Sequence, residues 1–193
     1  MSDLKARMFN RKAAKPDSKS NEIINALSLK SGQNVADVGV GGGYFSLRFS
    51  QAVENDGKIY GIDTNRDFLN FLKSGAEKNG QYNIETVLVE QGRFPLNNKG
   101  LDLVFLRNVY HHIPDRVNYF RDMAASMKEG GKVAIIDYDG RGGLSFHRLF
   151  GHFVPKDTII EEMKEAGYSL HQEHTFLPQQ SFLIFSVINY HQC

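Results

Sequence analysis

Val35-Ala36-Asp37-Val38 is a short apolar run that breaks at Gly39-Val40-Gly41-Gly42-Gly43 and continues past Tyr44 into Phe45-Ser46-Leu47-Arg48-Phe49, which reads as helix. Few other stretches of a chain restrict its fold as much as a strand, a glycine-rich turn and a helix in immediate succession. Without a β-carbon, Gly39, Gly41 and Gly43 let the backbone turn with positive φ, and a bound molecule can lie directly against it. The N–H groups opening the next helix point the same way and offer partners to an anion. Such a turn at the carboxyl end of a first strand is a nucleotide-type cofactor site.

The rest of the chain reads as support for that turn. Residues 1–20 carry Lys5, Arg7, Arg11, Lys12, Lys15 and Lys19 against Asp3 and Asp17, the composition of a flexible, solvated basic arm. Ser20 or Asn21 caps a helix with Ile23, Ile24 and Leu27 on one face, stopped at Lys30-Ser31-Gly32. Gly57 to Asp63 is a second strand that ends on an acid, twenty residues after Gly43. A carboxylate there can accept both hydrogen bonds of a ribose diol, and it can also cap the helix that carries Phe68, Leu69, Phe71 and Leu72. Behind a glycine-rich first turn the ribose role is preferred. Ile84 to Val89 is a third strand that opens onto Glu90, either an acceptor for an exocyclic amine or a solvated loop acid. Leu101 to Leu106, almost uninterrupted in apolar residues, is a fourth strand buried on both faces.

After it come Arg107-Asn108-Val109-Tyr110-His111-His112-Ile113-Pro114 and a long helix from Pro114-Asp115 with Val117, Phe120, Met123, Ala124 and Met127 at helical spacing, ended by Gly130-Gly131. Lys132 to Tyr138 is a fifth strand. Val154-Pro155 introduces a helix over 156–166 with Gly167 as its stop. Tyr168 to His174 and Ser181 to Val187 are separated only by a short turn around Leu177-Pro178-Gln179-Gln180, so the last strand must run antiparallel.

Asp37-x-Gly39-x-Gly41-x-Gly43, Asp63 and the terminal hairpin together resemble the class I S-adenosylmethionine-dependent methyltransferases, in particular small bacterial and archaeal members similar to the ubiquinone/menaquinone, type 11 and arsenite methyltransferase groups. Leu101-Asp102-Leu103-Val104 with Tyr110-His111-His112-Ile113 resembles the family's F-D-x-V and L-H-H-L segments, and Gly130-Gly131-Lys132-Val133 its approach to the fifth strand. The resemblance spans 33–187. A nicotinamide-type G-x-G-x-x-G is not met, because its third glycine would fall on Tyr44.

The resemblance implies an α/β, Rossmann-like, seven-stranded, mostly parallel sheet with helices on both faces and an antiparallel C-terminal hairpin strand. Residues 21–193 would form a single domain. It implies S-adenosylmethionine as cofactor, its methionine part received by Asp37 and the backbone at Gly39, Gly41 and Gly43, its ribose by Asp63, its adenine bordered by Glu90 and Gln91, with Thr64 and Asn108 lining the same cleft. Catalytic candidates are Tyr110, His111 and His112. One histidine of the pair acts as base for a protonated acceptor, or one is buried in a structural hydrogen bond while the other is half exposed. Tyr138, His147 and His152 are placed in an acceptor pocket, and the aromatic run from Phe146 to Phe153 is either a lid or the core of a short helix.

Composition sets the outer bounds. With 193 residues and a net charge of +1, the chain suits one globular domain that nothing compels toward nucleic acid or a membrane. The one cysteine, Cys193, excludes an internal disulfide framework and the internal thiols of arsenite chemistry. The histidines lack metal-ligand spacing, so no metal is expected. The expectation is a cytoplasmic enzyme, monomer or homodimer, methylating a small molecule. The other readings are an RNA or protein methyltransferase guided by the basic arm, and a non-catalytic cofactor-binding protein.

Overall fold

A computed structural model describes residues 2–90, 92–140 and 153–188. Their contacts gather into two compact units, Met1–Glu90 and Gln91–Cys193.

The first unit alternates helices with three parallel strands: α1 (Ser2–Ala13), a 3-10 turn (Pro16–Ser18), α2 (Ser20–Leu27), β1 (Asn34–Val38), α3 (Tyr44–Val53), β2 (Lys58–Asp63), α4 (Arg66–Lys78) and β3 (Ile84–Leu88). Asp37 of β1 stands beside Gly61 of β2, and Asp63 beside Leu88 of β3, so the three strands end together. Val35, Ala36, Ile59 and Ile62 are wholly buried. That is why these strands read as continuous apolar runs rather than alternating ones. Asn65 caps α4 by accepting the Asp67 N–H at 2.9 Å, and Leu69, Leu72 and Ala76 bury one face of it. A Cβ at Gly61 would lie 2.6 Å from Leu72 Cδ2 and one at Gly43 would lie 2.7 Å from Leu72 Cδ1, so both glycines make room for α4.

The basic arm expected at residues 1–20 is not what the structure shows: residues 2–13 form α1, and α1 is packed. Asp3 in its first turn and Arg11 and Lys12 in its last complement the helix dipole. Ala6 is wholly buried, and Phe9 meets Phe68 of α4 edge-on at 5.7 Å between ring centres. The Oγ atoms of Ser18 and Ser20 both donate to the Ala13 carbonyl and close its C-terminal end. A helix that buries one alanine and docks one phenylalanine leaves almost no hydrophobic periodicity to read.

The second unit contains β4 (Leu101–Arg107), a 3-10 turn (Tyr110–His112), α5 (Arg116–Met123), a second 3-10 turn (Ala124–Ser126), β5 (Met127–Tyr138), α6 (Lys156–Glu165), β6 (Tyr168–His174) and β7 (Gln180–Val187). β4 and β5 are parallel, with Val104 opposite Val133. β7 runs antiparallel to β5, with Asp137 opposite Ser181, and pairs with β6 as the expected hairpin. The helix expected to run to Gly130 stops at Met123. Met127 already pairs with Leu101, and a Cβ at Gly131 would lie 2.7 Å from the Leu101 carbonyl oxygen. Gly130, at φ +75°, and Gly131 therefore shape a bulge inside β5, not the end of a helix.

The strands make one seven-stranded mixed sheet in the order β3-β2-β1-β4-β5-β7-β6. This is the expected Rossmann-like order with its antiparallel strand. Among the described residues no helix is long and apolar enough to cross a membrane.

Candidate functional site

In the first unit the predicted cofactor residues converge at the carboxyl ends of β1, β2 and β3. Gly39 leaves β1 at φ +77° and Gly41 follows at +52°, both left-handed as the turn requires. The Gly41 N–H donates to Asp63 Oδ2 at 3.2 Å, and the Asn65 N–H to Asp63 Oδ1 at 2.9 Å. Asp63 therefore braces the turn and starts the next loop, while the helix cap that its position also suggests is supplied by Asn65. Burial raises its pKa against the lowering effect of those N–H groups. Thr64 is exposed just beyond, and the exposed Glu90 follows Val89, whose N–H donates to the Asp63 carbonyl at 3.1 Å.

Asp37 lies deeper, with 4% of its surface exposed, and accepts from Ser46 Oγ of α3 at 2.5 Å. Burial pushes its carboxyl up to about 7, and the charge of Asp63 adds to the rise. Among the described residues neither acid pairs with a cationic side chain. Two acids of this kind, next to a left-handed glycine turn, fit a ligand that carries a diol and a positive charge, as S-adenosylmethionine does.

At Gly43 the side on which a Cβ would stand is filled by Leu72. At the start of α3 the Tyr44 N–H is already partnered, donating to Asn10 Oδ1 of α1 at 3.1 Å.

In the second unit a polar group gathers where β4 and β5 end and β7 begins. Asn108 holds the left-handed region at φ +58°, its N–H on the Ile136 carbonyl at 2.8 Å and its Oδ1 taking Gln180 Nε2 at 2.5 Å. A non-glycine residue at such a φ is strained and persists where surrounding bonds fix it. Asp137, fully buried at the end of β5, accepts from His111 Nδ1 at 2.8 Å, the His111 N–H at 3.1 Å and the Tyr138 N–H at 2.8 Å. The His111 ring is 7% exposed, while His112 is exposed with its ring centre 4.0 Å away. His111 is thus the covered histidine of the pair, bonded to Asp137, and His112 the exposed one. Asp139 is also buried and accepts from Ser181 Oγ at 3.0 Å.

Tyr110, expected in the catalytic group, is instead part of the core. Its ring is fully buried, stacked on Phe120 at 5.5 Å, and its hydroxyl donates to Glu162 Oε2 at 2.7 Å. Arg116 grips the same carboxylate with two bonds of 2.6 Å and lies over the Tyr110 ring. Burial, then the Glu162 bond, raise the phenol's pKa. Tyr110→Phe should lower stability by about 1.5–3 kcal/mol, the worth of a hydrogen bond to a charged group. Urea unfolding would read that shift, and calorimetry should find cofactor affinity unchanged; a large loss of affinity would return Tyr110 to the site.

Gln91, His147, His152 and the run Phe146 to Gly151 lie outside the described residues. Asp137, Asp139, Gln180, Phe9 and Asn10 are residues that sequence reasoning passed over. For the first two a signal existed, since acids at both 137 and 139 terminate a buried apolar strand.

The methyltransferase-domain family model matches residues 29–178. Phosphoethanolamine N-methyltransferase of Triticum aestivum is 29% identical over 160 residues, 81% of this chain and 28% of that one. Arsenite methyltransferase of Halobacterium salinarum is 28% identical over 110 residues, 57% of this chain and 28% of that one. The chain thus spans under a third of the length of these relatives. A solved S-adenosylmethionine-dependent methyltransferase from Aquifex aeolicus superimposes with a TM-score of 0.82 at 19% identity, over 94% of this chain and 98% of that one. Its likeness is one of fold. With a family match over most of its length, the glycine turn braced by Asp63 and the antiparallel last strand, the chain belongs to the class I S-adenosylmethionine-dependent methyltransferases.

Proposed function

We propose that this chain methylates a small-molecule acceptor with S-adenosylmethionine as methyl donor. When bound, S-adenosylmethionine supplies a methyl group already activated on a sulfonium. The chain's own task is then binding and orientation, which can lower a barrier by several kcal/mol without a covalent step. In the first unit Asp63 accepts from the ribose, Asp37 and the backbone at Gly39 and Gly41 receive the methionine part, and Thr64 and Glu90 border the nucleoside. In the second unit Tyr138 serves the acceptor side. There Asp137 fixes the ring of His111, and His111 or His112 takes the proton of an acceptor that carries one. The observation that carries this reading is the buried Asp37 and the half-buried Asp63 at the ends of β1 and β2, neither paired with a cationic side chain among the described residues. Two relatives named for small acceptors, phosphoethanolamine and arsenite, support the acceptor class. With a single cysteine in the chain, arsenite itself is the poorer match.

Calorimetric titration with S-adenosylmethionine, S-adenosylhomocysteine and NAD tests the donor, and release of S-adenosylhomocysteine over a panel of small acceptors tests the rest. Binding of NAD alone would overturn the reading. The pH dependence is a further check. A cationic ligand favours ionised Asp37, so binding displaces a proton below about pH 7, and affinity should fall by about tenfold per pH unit there. Stability of the free protein should run the other way. The folded carboxyl holds its proton up to about 7, against 3.8 for the free group, so its contribution is complete below 3.8 and is lost as pH rises through 7. Affinity that stays flat from pH 8 to 6 would remove Asp37 from the site.

A further inference from the structure

The glycine-rich turn has a neighbour besides its strands and α4. α1 lies directly on it. A Cβ at Gly41 would meet Phe9 Cδ2 at 3.3 Å, and one at Gly42 would overlap Asn10 Oδ1 and the Ala6 carbonyl oxygen. Gly42 is absent from the positions of positive φ, so its backbone conformation is open to any residue. What demands a glycine at 42 is the close approach of α1. The approach is held by three further contacts: the Tyr44 N–H on Asn10 Oδ1 at 3.1 Å, Phe9 edge-on to Phe68, and the Arg7 guanidinium 5.6 Å over the Phe71 ring.

The position of Phe9 gives this helix a meaning beyond packing. Gly41, which its ring touches, is the residue whose N–H braces Asp63, and Phe68, its ring partner, stands five residues beyond Asp63 in α4. The ring thus lies against the residue that donates to the carboxylate assigned to the ribose, and it remains 40% exposed. A half-covered aromatic face near a half-buried acceptor is a pairing that a nucleoside fills, with its flat, weakly polar surface on the ring and its hydroxyls on the carboxylate. Leu4 and Met8 of the same helix are 73% and 54% exposed and make no such arrangement.

We propose that α1 is part of the cofactor site. Phe9 packs on the adenosyl part, and Asn10 sets the first turn of α3, so that docking of residues 2–13 and cofactor binding form one coupled equilibrium. The inference rests on reading residues 37–63 as the S-adenosylmethionine site. It adds a contact from a segment that the glycine motif does not include.

The test uses the full chain and its Phe9→Ala and Asn10→Ala variants, titrated with S-adenosylmethionine and S-adenosylhomocysteine, with Leu4→Ala/Met8→Ala as the control on the exposed side of the same helix. Phe9→Ala should weaken both ligands by about tenfold or more and Asn10→Ala by a smaller factor, with the control within about twofold of wild type. Trypsin cleavage after Arg11 and Lys12, both exposed, should slow about fivefold when S-adenosylhomocysteine is present and stay unchanged with NAD. If Phe9→Ala fails to fold, Phe9→Leu keeps the bulk without the ring, and the cleavage assay on the wild type needs no variant. Wild-type binding with unaffected Phe9 variants and ligand-independent cleavage would overturn the role of α1 alone. A wild type that binds neither compound would overturn the cofactor reading, and the role of α1 with it.

Discussion

Asp63→Ala should weaken S-adenosylmethionine binding by on the order of 2–3 kcal/mol, roughly 30- to 150-fold in Kd. Two losses combine. The ribose hydroxyls lose a charged acceptor, and the N–H groups of Gly41 and Asn65 lose the carboxylate that fixes the turn and the following loop. Asp63→Asn separates them, since its amide oxygen can still accept one of those N–H bonds while the charge is gone. It should fall between wild type and alanine. Calorimetry on the three proteins, with unfolding curves alongside, decides the matter: affinity within twofold of wild type in Asp63→Ala would mean that Asp63 serves only as a turn brace.

The second large effect is expected at Asp137, and it is an effect on stability. This carboxylate is fully buried and accepts from the His111 ring, the His111 backbone and the Tyr138 backbone. Asp137→Ala leaves all three donors without an acceptor. At about 1–3 kcal/mol for each buried group left unpaired, with partial relaxation, the loss is on the order of 3–5 kcal/mol. Denaturant midpoints would measure it. Asp137→Asn, which keeps one acceptor oxygen, should lose less, and its His111 ring should show an altered tautomer in nitrogen-15 spectra. A change below about 1 kcal/mol in Asp137→Ala would show that the turn over 108–112 is held by other contacts.

Much of the molecule was legible in the chain because it rests on patterns with one physical solution. A glycine turn between an apolar run and a helix leaves little but a parallel β-α-β unit. A strand pair joined as briefly as Tyr168–His174 and Gln180–Val187 must run antiparallel. The place of Asp63 was visible for the same reason, as a strand-terminal acid at a set distance from the turn. What escaped was decided by contacts distant in sequence. Tyr110 sits beside two histidines in the chain, yet its hydroxyl faces Glu162, fifty-two positions away. Met127 keeps the helical spacing of α5 but is drawn into a strand by Leu101. α1 is held by a few small contacts that no periodicity announces, and the glycine motif does not show which neighbour each glycine admits.

Leu72 illustrates the last point. Its two terminal carbons fill the places where Gly43 and Gly61 would carry side chains, one at 2.7 Å and the other at 2.6 Å from the missing Cβ. Positions 43, 61 and 72 thus divide one fixed volume among them. A methyl gained at either glycine has to be given up by the leucine, and a smaller residue at 72 would leave the floor of the cofactor turn over a void. A change tolerated at one of these three places therefore depends on what already occupies the other two.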